Sequence, residues 1–492
     1  MPGAVPPPRC GRQAAGENEK LRVALLAYRG NPRVGGQGVY CRFLSRELVR
    51  LGHQVTVFSG PPWPVLDEGT SLVKIPSLDL YREPDPFRVP HLSELRSWAD
   101  VAEVLTMWSG GFPEPRTFSW RARRLLGRWP VDPETAALGN GALGNGARAF
   151  DVVHDNGSFG SGIAGLVADG WPVVGTCHHP ITVDRLVDLA AAGPYWKELS
   201  VKRWYGFVRM QNAVAQRLAR VLTVSSSSRR DIIEQMGVAP ERVSVVPIGT
   251  DTGLFRPLPG GPGRRPPGRV MTTASADVPM KGLVYLLEAL AKLRTEQPDA
   301  HLVVVGEPRP ASTAAITRFG LEGAVTFRPG VSDAELVELY SEASVAAVPS
   351  LYEGFSLPAV EAMACEVPVV CSSGGALPEV VGRDGEAALL VPPADPGALA
   401  QALGRVLASY TDAPNSSAGS QPGHAGAAGP LAGRLGRAGR RRVLGRFTWE
   451  RCASGVVEQY RAVLDEHARA RSETARARRP RGSRGRFGPP RT

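Results

Sequence analysis

The stretch Val345–Ala364, VAAVPSLYEGFSLPAVEAMA, opens on an apolar run, turns through Ser350–Gly354, and closes in a small apolar segment entered by Pro358. Val345–Pro349 does not alternate in polarity, which suits a strand buried on both faces. Pro358 fits the first turn of a helix, where its missing N–H costs little. The stretch therefore predicts strand, loop and helix, with the loop at the carboxyl end of the strand. The unit recurs outward in both directions. Runs at Arg269–Ala274, His301–Gly306, Ala324–Arg328, Val367–Cys371 and Ala388–Val391 accompany it in the second half. Arg22–Tyr28, Gln54–Ser59, Asp151–His154, Pro172–Thr176, Val221–Ser225 and Val243–Pro247 repeat it in the first half. Helical patterns such as Val39–Leu51, Leu283–Glu296 and Asp333–Ser341 lie between them. This alternation predicts an α/β protein with parallel sheets and right-handed crossovers.

Six strands on each side of a linker near Gly249–Arg269 predict two doubly wound, Rossmann-like domains, residues 21–248 and 249–448. The linker is marked by Pro257–Pro267, almost entirely Pro, Gly and Arg. A helix over Trp449–His467 is long enough to cross back to the first domain. Residues 1–20 and the Arg-rich tail 468–492 are expected to be disordered. Pro130–Arg148 and Thr411–Gly433, without a periodic apolar face, are expected to be surface loops.

At 492 residues and 43% hydrophobic content the chain is too long for one core and apolar enough to fold. No run approaches the roughly 20 apolar residues that span a bilayer, and the N-terminus has no apolar stretch of the secretory kind. Six scattered cysteines without a CxxC pair suit free thiols in a reducing compartment. A cytoplasmic location is expected. The net charge of +11 is concentrated in the tail: from His467 onward nine Arg face the single acid Glu473, leaving about +3 elsewhere. Such a tail is either simply solvated or an electrostatic tether to the inner face of an anionic membrane. No specific nucleic-acid partner is expected.

Ligands of open α/β sheets bind at the carboxyl ends of strands. There the amides of Phe355, Ser356 and Leu357 would point out of a helix N-terminus, which favours an anion such as a diphosphate. Glu353 precedes that position and Glu361 follows it by about one helical turn. Two carboxylates flanking a phosphate cradle can accept hydrogen bonds from sugar and ribose hydroxyls. On spacing alone, a helix cap at Glu353 and a solvated face at Glu361 account for the pair equally well.

Glu353 and Glu361, with seven residues between them, resemble the EX7E motif of retaining glycosyltransferases of family 4, related to the bacterial group 1 enzymes. The context YEGFSLPAVEAMACEVPVV followed by SSGGALPEVV is similar to that family's pattern, and the likeness runs from about Leu21 to His467. The resemblance implies the GT-B fold, two Rossmann-like domains facing a central cleft. It implies that Glu353 approaches the donor sugar, Glu361 the ribose, and the amides of Phe355 to Leu357 the sugar and phosphates. Gly35–Gly36–Gln37–Gly38 matches a loop that contacts the diphosphate, making Gly35 and Gly36 donor-binding candidates. His178, in Cys177–His178–His179–Pro180, matches a histidine near the donor sugar. His179 could serve the site or merely pack, and His154, ending its own run, is a second-rank candidate. A metal reading of the adjacent histidines lacks a third ligand.

Lys281 matches a phosphate-binding lysine that would neutralise charge on the leaving group. The family usually has an arginine six residues earlier; here that position is Ser275, which leaves one fewer cation: either another arginine reaches in, or Ser275, kept as a donor-binding candidate, donates a hydrogen bond, or the rate suffers. Val331, in Gly330–Val331–Ser332, matches a base-binding loop, and a plain helix cap by Ser332 fits those residues as well. The expected catalytic residues are thus His178, Lys281 and Glu353. The donor would be a UDP-, GDP- or ADP-sugar, a substrate rather than a cofactor, and no cofactor or metal is expected. The acceptor would be a glycan, a lipid-linked sugar or a small molecule. Tyr195–Phe207, mixing aromatics with Lys and Arg, is either a core-packing helix or a membrane-interface segment. Two rival readings are a non-catalytic nucleotide-sugar-binding protein at a membrane surface and an epimerase of the same fold.

Overall fold

The computed structural model describes residues 20–31, 36–82, 85, 87–130, 148–259, 265–266, 268–273, 279–411 and 431–477. The first sheet contains β1 (Arg22–Ala27), β2 (Gln54–Ser59), β3 (Ser71–Lys74), β4 (Val152–Asn156), β5 (Val173–Thr176), β6 (Arg220–Thr223) and β7 (Val243–Val245). Their order is β3-β2-β1-β4-β5-β6-β7. The second sheet contains β8 (Arg269–Thr273), β9 (His301–Val305), β10 (Val325–Arg328), β11 (Val345–Val348), β12 (Val369–Ser372) and β13 (Ala388–Val391), in the order β10-β9-β8-β11-β12-β13. The paired strands run parallel.

Burial on both faces explains the unbroken apolar runs. In β1, Val23, Leu25 and Ala27 enter one core while Ala24 and Leu26 enter another. In β11, Val345 and Ala347 face one core and Ala346 and Val348 the opposite one. The first sheet has seven strands rather than six. The additional β3 is a half-exposed edge strand whose sequence, Ser-Leu-Val-Lys, offers no apolar run to recognise.

The last helix, Trp449–Ala477, fuses the two domains into one core. Its Trp449, Cys452, Val456, Tyr460 and Val463 recur at helical spacing on the buried side. Trp449 stacks on Phe43 of the first-domain helix Gly36–Arg50, ring centroids 5.3 Å apart. A parallel bridge between Thr250 and Thr448 ties the chain leaving the first domain to the chain returning to it. The helix continues ten residues past His467, so Arg469–Ala477 is helical rather than disordered. Alanine and arginine are strong helix formers, and extending an existing helix needs no new nucleus. Leu431–Gly433, expected to close a loop, instead begins the helix Leu431–Arg446. Most of the two expected loops and the end of the tail lie outside the described residues.

Tyr195–Trp204 is a helix that divides its two roles along its length. Trp204 packs between Tyr81, Phe87 and Phe112, whereas Tyr195 and Trp196 are exposed. Cys41, Cys177, Cys365, Cys371 and Cys452 are free and buried. Among the described residues no helix is long and apolar enough to cross a membrane.

His154, a second-rank site candidate, is wholly buried under the returning helix. Its Nδ1 lies 2.6 Å from Tyr460 Oη and its Nε2 2.6 Å from Thr176 Oγ1. Burial pushes its imidazole down to about 3, and the neighbouring His178 adds to this. It is a structural joint. Tyr460→Phe strands one ring nitrogen in the core and is expected to cost about 1–3 kcal/mol, read as a lower denaturation midpoint with an unchanged m-value.

Candidate active site

In each sheet the order in which the chain adds strands reverses between two parallel neighbours, β1 and β4 in the first domain and β8 and β11 in the second. In open α/β sheets such switch points, outside the carboxyl ends of the strands, are where ligands bind. Lys281 follows β8, and the Ser350–Glu353 loop follows β11. Lys281 Nζ lies 2.8 Å from Glu353 Oε1, which also accepts from Ser350 Oγ at 2.7 Å. Glu353 is 8% exposed, and the ammonium of Lys281 is its ion-pair partner.

The backbone fixes the pair. Leu351 N donates to Met280 O at 2.7 Å, stitching the two loops together. Gly282 takes φ +68°, and a Cβ there would stand 2.1 Å from Pro349 O. On the other side Ala376 N donates to Glu353 O at 2.8 Å. Gly375, at φ +60°, packs so closely that a Cβ would meet Glu353 O at 2.3 Å.

Beyond Glu353 the chain enters the helix Leu357–Ala364 through Ser356, held at φ +87°. A serine in that region is strained, and its buried Oγ has no hydrogen-bond partner. Phe355 turns inward against Phe447, ring centroids 5.4 Å apart, so it offers the crevice only backbone. Pro358 stands in the first turn, and no side-chain cap hydrogen bond closes the helix N-terminus.

Glu361 points instead to Tyr340, whose Oη donates to Oε2 at 3.3 Å. Burial raises its carboxyl to about 7; Asp333 adds to the rise and the Tyr340 hydrogen bond opposes it. Ser332 forms a capping box with Glu335 at the start of the helix Asp333–Glu342, so the helix-cap reading of Gly330–Ser332 holds. Val331 is partly buried beside that cap.

From the first domain, His178 follows β5 and its Nε2 lies 2.7 Å from Asn156 Oδ1. Burial, with His179 beside it, lowers its imidazole to about 4. His179 pairs with Asp184 at 2.8 Å and leans on Tyr352. Gly36 opens the helix Gly36–Arg50 with free space where a side chain would be. Gly35 and Ser275 lie outside the described residues.

The domains touch at the site. Ser228 Oγ lies 3.4 Å from both His178 O and Gly354 O, and Tyr352 Oη donates to Asp231. Glu379 accepts from Ser226 N and Ser227 N, both at 2.7 Å, at the start of the helix Ser226–Met236. Sequence reading missed Asn156, Ser228, Asp231 and Glu379, because each acts through a partner distant in the chain; it also missed Ser350, whose partner Glu353 is only three residues on. The GG turn before Glu379 was the one available signal. Among the described residues no group of three or more His, Cys, Asp or Glu could hold a metal ion.

Residues 34–254 match the family described as Glycosyltransferase Family 4, and residues 267–409 that described as Glycosyl transferases group 1. An "MMP alpha-(1->4)-mannosyltransferase" of Mycolicibacterium hassiacum is 48% identical over 446 residues, 90% of this chain and 98% of that protein. The chain belongs to glycosyltransferase family 4. A "D-inositol 3-phosphate glycosyltransferase" of Kineococcus radiotolerans is 30% identical over 370 residues, 70% of this chain and 78% of that protein. Sucrose-phosphate synthase from Thermosynechococcus elongatus shares the fold with a TM-score of 0.63 at 22% identity, over 91% of this chain and all of that one. Anabaena HepE in complex with UDP does so with a TM-score of 0.57 at 16% identity, over 89% and 99% of the two chains. This family 4 glycosyltransferase therefore has the GT-B fold, with the crevices of its two sheets meeting where Gly354 touches His178.

Proposed function

We propose that this glycosyltransferase moves a mannosyl group from a nucleoside diphosphate mannose to a hydroxyl of a glycan, with retention and without a metal ion. The observation that carries the reading is the Lys281–Glu353 pair at the β8/β11 switch point, beside a helix N-terminus that no side chain caps. A nucleotide sugar needs those parts together: a cation for the leaving diphosphate, amides for its oxygens, and a carboxylate for sugar hydroxyls. The mannosyl and α-(1→4) parts rest on the 48% identical relative. An α product from an α-linked donor means retention.

The bond from sugar carbon to phosphate oxygen breaks while the acceptor oxygen bonds to the same face. The departing phosphate oxygen takes the acceptor proton, so no separate base is needed. Lys281 and the amides of Phe355 to Leu357 would neutralise the charge that develops. Glu353 would hold sugar hydroxyls and Glu361 the ribose. The interdomain contacts of Ser228, Tyr352 and Glu379 would keep both substrates aligned.

The test is a donor panel of UDP-, GDP- and ADP-sugars, with oligomannoside as acceptor and a chelator present. A mannosyl donor is expected to be consumed, giving an α-linked product, and Glu353→Ala to abolish consumption. Binding without turnover of any donor would sink the enzymatic reading; a β-linked product would sink retention.

Glu361 gives the site a pH dependence. Its folded-state value is raised to about 7, so the carboxylate that accepts ribose hydroxyls forms only as the pH rises through that value. Nucleotide affinity is expected to weaken below pH 7, by at most about tenfold per unit, and to level off above it. Calorimetric titration of Glu361→Gln should give a flat profile.

A further inference from the structure

A neutral imidazole can offer a substrate either an N–H or a lone pair, and the choice decides whether it donates to a sugar hydroxyl or accepts from it. At His178 the choice is fixed by its hydrogen-bond partner Asn156. Asn156 Nδ2 lies 3.1 Å from the carbonyl oxygen of Gln37, in the first turn of the helix Gly36–Arg50. A carbonyl can only accept, so the amide nitrogen must face it; the flipped amide would set two oxygens against each other. Oδ1 is thereby left facing His178 Nε2 at 2.7 Å. That oxygen needs a hydrogen to accept, so Nε2 carries the ring's one proton and Nδ1 keeps its lone pair.

The surroundings hold this arrangement in place. Asn156 is fully buried at the end of β4. The ring of Tyr40 stands edge-on to His178, with centroids 4.7 Å apart and planes at 82°. Tyr40 Oη in turn lies 3.3 Å from Thr176 Oγ1, the hydroxyl that His154 also contacts. Burial keeps His178 uncharged at neutral pH, with a value of about 4. Nδ1 makes no hydrogen bond among the described residues.

We propose that Asn156 is a positioning residue that holds His178 as the Nε2–H tautomer, so that Nδ1 accepts a hydrogen bond from a hydroxyl of the donor sugar. The inference rests on the donor-site reading above and deepens it. A donor whose hydroxyl at that position is removed or O-methylated has no hydrogen to give and binds poorly. The titratable groups around His178 are Tyr40, His154 and His179 from the first domain. From the second domain comes the loop carrying Glu353, already paired with Lys281.

Two measurements test this on the full chain. Long-range nitrogen–proton spectra of 15N-histidine-labelled protein, with the His178 signals identified by their loss in His178→Gln, report the tautomer without turnover. The Nε2–H pattern is expected across neutral pH; an Nδ1–H pattern overturns the proposal. Because this readout needs no reaction, its failure is separable from failure of the glycosyl-transfer reading. The second measurement is the pH profile of Asn156→Asp. Its carboxylate still accepts from Nε2 but stabilises the imidazolium, whose Nδ1–H can no longer accept. At saturating donor, where the Glu361 dependence of nucleotide affinity does not enter, donor consumption is expected to develop an acid limb about 1–3 pH units higher than in the unmodified protein. It should rise to the variant's own plateau in alkaline buffer, where the ring is again neutral; that plateau sits below that of the unmodified protein, because the second carboxylate oxygen faces the Gln37 carbonyl. A profile superimposable on that of the unmodified protein overturns the proposal.

Discussion

Lys281→Ala is expected to lower the rate of sugar transfer by about two to three orders of magnitude, the usual loss when one preorganised charge donor is removed from a transition state. Two features make the site sensitive to this cation. The position where the family usually has an arginine is Ser275, an uncharged residue. Its partner Glu353 is nearly buried, and without Lys281 it keeps only the Ser350 hydroxyl on Oε1. In the unliganded chain the two charges neutralise each other at 2.8 Å. Under the proposed mechanism the donor divides them, drawing the ammonium to its phosphates and the carboxylate to its sugar. The loss should therefore fall mainly on kcat, because charge on the leaving oxygen grows as the bond breaks. Lys281→Arg should restore part of it. A kcat within threefold of the unmodified enzyme would show that the helix amides alone carry the diphosphate.

Gly375→Ala is expected to reduce activity by about a hundredfold and to lower the melting temperature by several degrees. The residue combines φ +60° with a Cβ position 2.3 Å from Glu353 O and 2.8 Å from Glu353 N. The left-handed backbone alone strains a non-glycine residue by about 1–3 kcal/mol. The contact adds a displacement, and what it displaces is the backbone of the site's central carboxylate. A misplacement of about 1 Å in a catalytic group costs on the order of a hundredfold. Gly385→Ala is the control: φ is +75°, but the space around its Cβ position is open. It should share some of the stability loss and leave kcat/KM nearly unchanged. Equal loss of activity in both variants would show that the effect is backbone strain rather than displacement of Glu353.

Much of this molecule was legible from the sequence where burial leaves a pattern. The strands sandwiched by helices are apolar on both faces, so each appeared as an unbroken run whose place in the chain could be read. The edge strand Ser71–Lys74 is half-exposed, carries no such run, and escaped notice. The tail was judged on charge and small-residue content, which describes solubility but overlooks that alanine and arginine readily continue a helix. At the site, Glu353 and Glu361 stood out as acids beside a strand end, but on spacing alone a cap and a solvated face fitted them equally well; the resemblance to family 4 singled them out, with Lys281 and His178.

The sequence by itself determined the alternation of strands and helices, the two-domain division and the strand ends that carry charged groups. Those are local properties, set by periodicity and by a few residues of context. Tertiary structure alone decided what each group does. It buried His154 beneath Tyr460, 306 positions away, and kept His178 at the crevice. It closed Lys281 onto Glu353 across 72 positions and set Asn156 between Gln37 and His178, which selects the tautomer. Hydrogen bonds and ion pairs are made at about 3 Å, between residues whose separation in the chain carries no trace of that distance.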